Sequence, residues 1–168
     1  WVRLPVDSAS DYTLTMNQRP ALTNPSVTPT RGNEGQVFTY SVVYSDPDGN
    51  APAFVKVYID GSAESNARLM VKANPQSNDY VNGVRYICQV SGLAVGTHTC
   101  FFAASDGTES APTTPQLSLP TVYANNSPTL KNGSVSPSSG NDSTEFTYTV
   151  TYADPDGDAP KFVKVYID

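Results

Sequence analysis

One stretch of the sequence occurs twice, 108 positions apart, in nearly the same form. The first copy reads Phe38-Thr-Tyr-Ser-Val-Val-Tyr-Ser-Asp-Pro-Asp-Gly-Asn-Ala-Pro-Ala-Phe-Val-Lys-Val-Tyr-Ile-Asp60. The second reads Phe146-Thr-Tyr-Thr-Val-Thr-Tyr-Ala-Asp-Pro-Asp-Gly-Asp-Ala-Pro-Lys-Phe-Val-Lys-Val-Tyr-Ile-Asp168. The full match joins residues 20–60 to residues 128–168 without a gap, and 26 of the 41 aligned pairs are identical. Because this period has the length of a domain, the sequence predicts a tandem array of domains rather than a solenoid of small units.

Hydrophobic side chains alternate with polar ones inside each copy, and this period of two indicates β-strands. The alternation predicts an inward face that comprises Phe38, Tyr40, Val42, Tyr44, Val55, Val57 and Ile59. Turn-forming pairs such as Asp48-Gly49 and Asn82-Gly83 separate the strands. We predict strands at about 20–28, 36–45, 53–60, 84–90, 97–104 and 113–123, with a weak stretch around Leu69-Met70-Val71. Several short strands within about 105 residues are typical of a β-sandwich.

Two longer strings resemble a known family of repeats. They are Tyr-x-Asp-Pro-Asp-Gly-x-Ala-Pro-x-x-Val-Lys-Val-Tyr-Ile-Asp-Gly, ending at Gly61, and Gly-Thr-His-Thr-x-Phe-Phe-Ala-Ala-Ser-Asp-Gly, ending at Gly107. They resemble the immunoglobulin-like and PKD-like repeats of large bacterial and archaeal surface proteins. The resemblance implies an all-β chain of tandem Ig-like β-sandwich domains, the last one incomplete, at an extracellular or cell-surface location.

The repeat phase divides the chain into three parts. Residues 1–19 are a strand-like N-terminal segment that occupies the place of strand G of a preceding repeat, or of a donor strand. Residues 20–124 form a complete Ig-like β-sandwich, and residues 125–168 supply strands A–C of a second repeat. We expect either a window of a longer array or a complete subunit whose open half-domain a neighbour completes.

Composition and charge exclude several functional classes. The net charge of −6 argues against a nucleic-acid partner, which requires a basic face. No apolar run reaches the length of a membrane span. His98 is the only histidine, and its place in phase with Cys100 predicts a packed or edge residue rather than a catalytic one. Because no nucleophile or phosphate-binding motif is present, we expect that the chain is not an enzyme.

The two cysteines, Cys88 and Cys100, flank a glycine-containing segment that is centred on Ala94. This symmetric placement predicts that the sulfurs face each other across a turn and form a disulfide, as the secreted character of the composition also favours. The alternative is a pair of buried thiols in a reducing compartment. The resemblance to surface repeats does not supply the disulfide, since that family leads us to expect aromatic or aliphatic residues at these positions.

The acidic loops are the candidate metal site. The first loop offers Asp46, Asp48 and Asn50, which recur in the second copy as Asp154, Asp156 and Asp158, and Asp106 follows strand F. Alternating oxygen ligands on a tight loop suit Ca²⁺, which makes calcium the candidate cofactor. The alternative is that Asp-Pro-Asp-Gly is a stable turn without metal. In an Ig-like topology these loops lie at the end where the chain enters, so they should meet the linkers.

The broken second copy predicts assembly, because its inward face lacks a covering sheet. That face consists of Phe146, Tyr148, Val150, Tyr152, Val163, Val165 and Ile167. We expect neighbouring repeats or identical subunits to cover it, end to end and with strand pairing, in a non-catalytic spacer or filament. The alternative function is adhesion or carbohydrate binding, in which sugar rings would stack on the aromatic residues Phe54, Tyr58, Phe162 and Tyr166.

Overall fold

The protein, seen in a computed structural model that describes residues 16–168, is all-β, as the sequence predicts. The prediction for residues 1–19 therefore lies largely outside the described residues. The strands are β1 (Ala21–Thr28), β2 (Arg31–Asn33), β3 (Phe38–Ser45), β4 (Phe54–Ile59), β5 (Ala67–Leu69), β6 (Val71–Lys72), β7 (Val84–Val90), β8 (Gly96–Thr97), β9 (Cys100–Ser105), β10 (Thr121–Tyr123), β11 (Thr129–Ser136) and β12 (Thr147–Ala153). The helical structure in residues 16–168 is a single 3₁₀ turn, Glu64–Asn66, and no helix there could cross a bilayer.

Two antiparallel sheets enclose one core. The first has the strand order β1-β3-β7-β6, and the second has the order β5-β4-β9. Every inward position predicted for the first copy is buried, with exposures from 0% to 8%, so this face is confirmed. The core also contains residues from the later strands, chiefly Val84, Tyr86, Cys100 and Phe102. The two sheets therefore hold each other in place through the alternating side chains of both.

A third small sheet, β2-β10-β8, lies at the point where the chain leaves this domain. Strand β10 runs parallel to β2, and Tyr123 lies opposite Asn33. The predicted strand at 113–123 is reduced to residues 121–123, because prolines at 112, 115 and 120 have no N–H to contribute to a ladder. The segment before β10 still follows β9 through isolated bonds, such as that from Leu117 N to Cys100 O at 2.8 Å.

The second copy repeats the local structure of the first. Strand β11 pairs with β12 in the register of the β1–β3 pair, shifted by the repeat length, and the same irregularity recurs. Asn24 and Asn132 each have a positive φ there, of 51° and 55°. The predicted third strand of this copy is wrong, since residues 162–167 have no strand structure. In the first domain β4 pairs with β5 and β9, and residues 125–168 do not include the positions that would match those partners.

Candidate functional site

The loop after β3 is organised by one buried carboxylate. Asp46 is fully buried, and its Oδ1 accepts hydrogen bonds from the backbone N–H groups of Asp48 at 2.9 Å and Asn50 at 3.1 Å. Gly49 has a φ of 77°, which favours glycine, and its N–H donates to the Asp46 carbonyl. Asp46 therefore closes a tight turn with its own side chain, as Asp does in Asx turns.

The second copy builds the same loop. Asp154 Oδ1 accepts from the N–H groups of Asp156 at 2.8 Å and Asp158 at 3.4 Å. Gly157 repeats the positive φ, at 80°. Because this loop forms although residues 125–168 contain only the first half of a repeat, its geometry comes from the local sequence.

Each loop also holds the linker that enters its repeat. Asp48 accepts hydrogen bonds from Gln18, through the backbone N at 2.5 Å and Nε2 at 3.0 Å. Asp156 accepts the equivalent pair from Asn126, at 2.6 and 3.0 Å. The predicted meeting of the acidic loops with the linkers is therefore present in both copies.

Asn17 extends this network in the first repeat. Its Nδ2 donates to Asp106 Oδ2 at 2.8 Å, and its Oδ1 accepts from Asn50 Nδ2 at 2.8 Å. The bond from Asn17 lowers the pKa of Asp106, and backbone N–H groups of Glu109 and Thr108 lower it further. Asp106 is thus tied to the linker as a carboxylate.

One residue of the first repeat reaches across to the second. Asn33, at the end of β2, donates from Nδ2 to Asn125 Oδ1 at 3.0 Å and to Asp158 Oδ2 at 2.9 Å. Its own Oδ1 accepts a hydrogen bond from Gly35 N at 3.2 Å, so both the N–H donor and the oxygen acceptor of its side-chain amide are hydrogen-bonded. The junction between the copies therefore has a specific polar contact as well as a short linker.

The predicted calcium ligands do not form a cation cage as they are arranged here. Most of their carboxylate oxygens already accept hydrogen bonds, and Asp46 Oδ2 is buried without a hydrogen-bond partner. Within residues 16–168 no three His, Cys, Asp or Glu side chains lie close enough together to hold a metal ion. The geometry favours the hydrogen-bonded turn, and calcium binding stays a prediction for titration.

The predicted disulfide is absent, since Cys88 and Cys100 are both free cysteines. The prediction assumed that the two strands pair as a hairpin, but β7 pairs with β3 and β6, whereas β9 pairs with β4 in the other sheet. Burial raises the pKa of Cys88, and it raises the pKa of Cys100 to about 11. Cys100 is therefore a core residue, Cys88 packs against the core, and both thiols have little thiolate character at neutral pH.

His98 is a packed residue, as the sequence predicts. Its ring is mostly buried, with Nδ1 2.6 Å from Asp60 Oδ2 and Nε2 2.8 Å from the Ala94 carbonyl oxygen. Burial by itself lowers the pKa of His98, but the hydrogen bonds to Asp60 and Ala94 outweigh burial, so the net shift is upward. Asp60 also accepts from Thr99 N at 2.9 Å, which joins the end of β4 to the start of β9.

The predicted assembly face of the second copy is open to water. Val150 is 41% exposed, whereas its counterpart Val42 is 0% exposed, and Ile167 is 67% exposed against 8% for Ile59. All eight buried hydrophobic residues of 20–60 recur unchanged in 128–168. Fourteen of the fifteen differences between the copies fall at positions that are not buried in the first, the exception being Ser41 and Thr149. The second copy therefore has the same hydrophobic side chains as the core of the first, but they are exposed to solvent.

The predicted sugar-stacking residues are already engaged in the first repeat. Tyr58 stacks flat on Phe101, with ring centroids 4.9 Å apart, and its hydroxyl donates to Glu64. Lys56 lies over the Phe54 ring and also pairs with Glu64. In the second copy Lys164 lies over Phe162, and Tyr166 is 87% exposed.

Sequence reasoning missed the linker-side partners of the junction, namely Asn17, Gln18 and Asn33. The sequence did contain a signal for Asn33, because this residue recurs as Asn141 in a segment where most neighbouring residues differ between the copies. Only the fold shows that Asn33 lies beside the exit of the chain. Neither a known protein-family model nor a curated protein matches this chain.

Proposed function

We propose that the chain is a non-catalytic structural unit of an extracellular surface protein or filament, in which repeats follow one another in a linear array. The observation that carries the proposal is the recurrence of the linker bonds. Gln18 binds Asp48 at the entrance to the first repeat, and Asn126 binds Asp156 at the entrance to the second. A contact built once per repeat, at the point where repeats join, supports a role in spacing and orienting domains.

The side chains that could take part in catalysis support the same proposal, because each one makes a contact that stabilises the fold. His98 ties Asp60 to Ala94, and the carboxylates of Asp46 and Asp154 close turns. The Cys100 thiol packs in the core, the Cys88 thiol packs against it, and burial raises the pKa of both. This use of the residues agrees with the absence of catalytic motifs in the sequence.

The test measures the orientation of the two copies in solution. Spin labels on an exposed position of each copy, read by electron–electron dipolar spectroscopy, should give one narrow distance distribution. A broad distribution, such as a free five-residue linker would produce, would contradict a spacer that sets orientation. The measurement is made with the full chain, and labels placed within the first repeat provide the reference width.

Adhesion is the second candidate, and the outward aromatic pair Tyr58 and Phe101 favours it. The stacked rings form a flat, partly exposed apolar surface on the outer side of β4 and β9. A glycan array with the full chain, compared with Phe101→Ala, tests this function. Binding that is lost in the variant would support adhesion. If the chain binds no glycan, adhesion through sugar stacking is contradicted and the spacer role is the remaining proposal.

A further inference from the structure

The second copy has an Asn-Gly pair, Asn132 and Gly133, at the irregular point of its strand pair. The register between β11 and β12 shifts between Lys131 and Ser134, so the two residues lie opposite the single residue Val150. This is the arrangement of a β-bulge, in which an extra residue is set apart from the ladder. Asn132 has a φ of 55°, in the left-handed region that asparagine tolerates better than most residues.

An Asn-Gly pair contains both partners of an intramolecular acyl transfer. The backbone nitrogen of the glycine can attack the side-chain carbonyl carbon of the asparagine, because the two groups are held close together and glycine has no Cβ to obstruct the attack. In a folded protein the glycine N–H must be free to lose its proton. The asparagine side chain must also have room to turn towards that nitrogen.

The first repeat shows that the ladder does not require the N–H of Gly133. Pro25, which has no N–H, occupies the equivalent position, and β1 still pairs with β3 in the same relative register. There is also room, since beyond its chain neighbours no atom lies within 4 Å of the place where a Cβ of residue 133 would stand. Asn132 is exposed, and its counterpart Asn24 is exposed in the complete first repeat. The exposure of this position therefore does not depend on what covers the inner face.

The other Asn-Gly pair of the chain, Asn82 and Gly83, is held in the opposite way. Gly83 donates its N–H to the Asp79 carbonyl at 2.9 Å, and Asn82 Nδ2 donates to Asp79 Oδ2 at 2.8 Å. The space beside Gly83 is filled, since Val43 Cγ1 lies 2.7 Å from the place of an added Cβ. Both reacting groups of this pair are thus bound to one aspartate.

We propose that Asn132 is a site of spontaneous deamidation, with the Gly133 nitrogen as the nucleophile. The nitrogen loses its proton and bonds to Cγ of Asn132, and the Cγ–Nδ2 bond breaks with release of ammonia. Water then opens the cyclic imide, giving its hydroxyl to one carbonyl carbon and its proton to the ring nitrogen. The product at position 132 is aspartate or isoaspartate, according to which carbonyl the water attacks.

The reaction changes the second repeat at a position where the first repeat is protected. Isoaspartate carries the main chain through the side-chain carbon, which adds one backbone atom, and either product adds a negative charge. Because a bulge already interrupts the ladder, it accommodates the extra atom with less disturbance than a regular stretch would. In the first repeat Asn24 precedes proline and therefore lacks the nucleophile. The reaction is independent of the spacer function, since it uses only groups within the bulge.

Exchanging the residue after asparagine between the two bulges tests the proposal. The full chain, Gly133→Pro and Pro25→Gly are incubated at pH 7 and pH 9, and isoaspartate is located by peptide mapping and isoaspartyl methyltransferase labelling. In the wild type it should form at position 132 on the order of tenfold faster than at position 82, where a backbone hydrogen bond must break first. Gly133→Pro should abolish it, and Pro25→Gly should create it at position 24. The rate should rise with pH, because the nucleophile must lose a proton.

Two controls separate the fold from the local sequence. In the urea-denatured chain both Asn-Gly pairs should react at similar rates, and thermal melting checks that both variants keep the first repeat folded. The proposal is overturned if native Asn132 stays intact, if Asn82 reacts equally fast in the native chain, or if Gly133→Pro forms isoaspartate like the wild type. A folded Pro25→Gly variant in which Asn24 stays intact would also overturn it, because the bulge would then not permit the attack.

Discussion

Asn33 in the first repeat and Asp158 in the second are joined by a hydrogen bond of 2.9 Å from Nδ2 to Oδ2, although 125 positions separate them. The same amide group holds Asn125 of the linker. In the first repeat, position 50 holds Asn instead of Asp, and its Nδ2 donates to Asn17. The side chain of Asn33 thus lies between the linker and the loop of the following repeat.

Removing that side chain should loosen the junction. We expect Asn33→Ala to broaden the distance distribution between spin labels on the two copies while the melting temperature of the first domain changes little. Asn141→Ala is the matched control, because Asn141 occupies the same position in the second copy, and it should leave the distribution unchanged. An equal effect of both variants would show that the residue stabilises its own turn and not the junction.

Tyr40 and Tyr44 should respond in opposite ways to loss of their hydroxyl groups. The Tyr40 hydroxyl is buried without a hydrogen-bond partner, whereas the Tyr44 hydroxyl donates to the Asn50 carbonyl at 3.2 Å. Tyr40→Phe should therefore be neutral or stabilise the fold by up to about 1 kcal/mol, and Tyr44→Phe should cost about 1 kcal/mol. Urea unfolding measures both. A clear loss of stability in Tyr40→Phe would mean that its hydroxyl has a partner in solution.

The contact between His98 and Asp60 should make stability depend on pH. The folded state raises the pKa of His98 above its value in the unfolded chain, which is about 6.5. The contact therefore makes its full contribution to the free energy of unfolding at pH values below the unfolded pKa. The contribution is lost as the pH rises through the higher folded pKa. The difference in unfolding free energy between wild type and His98→Gln should therefore shrink from pH 6 to pH 9. A constant difference over this range would mean that the charge on His98 does not contribute.

The acidic loops should hold without metal. We expect that EDTA leaves the melting temperature unchanged, and that Asp46→Ala lowers the stability by about 2 kcal/mol because two backbone N–H groups lose their acceptor. Calorimetric titration with Ca²⁺ measures the alternative directly. Binding heat together with a raised melting temperature would establish calcium as a ligand of these loops.

The cysteines should behave as buried thiols. Alkylation of the denatured, unreduced chain should modify two thiols per molecule, and alkylation of the native chain should be slow. Cys88 should react before Cys100, since Cys100 is almost fully buried with a pKa raised to about 11 and Cys88 is only partly buried. Native Cys100 reacting as fast as a free peptide thiol would contradict the core position.

The sequence by itself determined the strands, the turns and the inward face. Alternation at Phe38, Tyr40, Val42 and Tyr44 predicted their burial correctly, because a strand has only two faces and one of them must leave water. The Asp-Pro-Asp-Gly loops were equally readable, since their hydrogen bonds run within five residues. The second copy confirms this, because its loop and its β11–β12 register form without a complete domain.

Features that depend on the pairing of strands far apart in the sequence were decided only by the tertiary structure. The segment between Cys88 and Cys100 resembled a hairpin, but it carries the chain from one sheet to the other, because β3 and β4 offered the edges that β7 and β9 pair with. The reach of Asn33 to Asp158 depends on the parallel pairing of β2 with β10, which no local pattern indicates. Residues 162–167 match β4 closely and still form no strand, since a ladder needs partner strands and not only a suitable sequence.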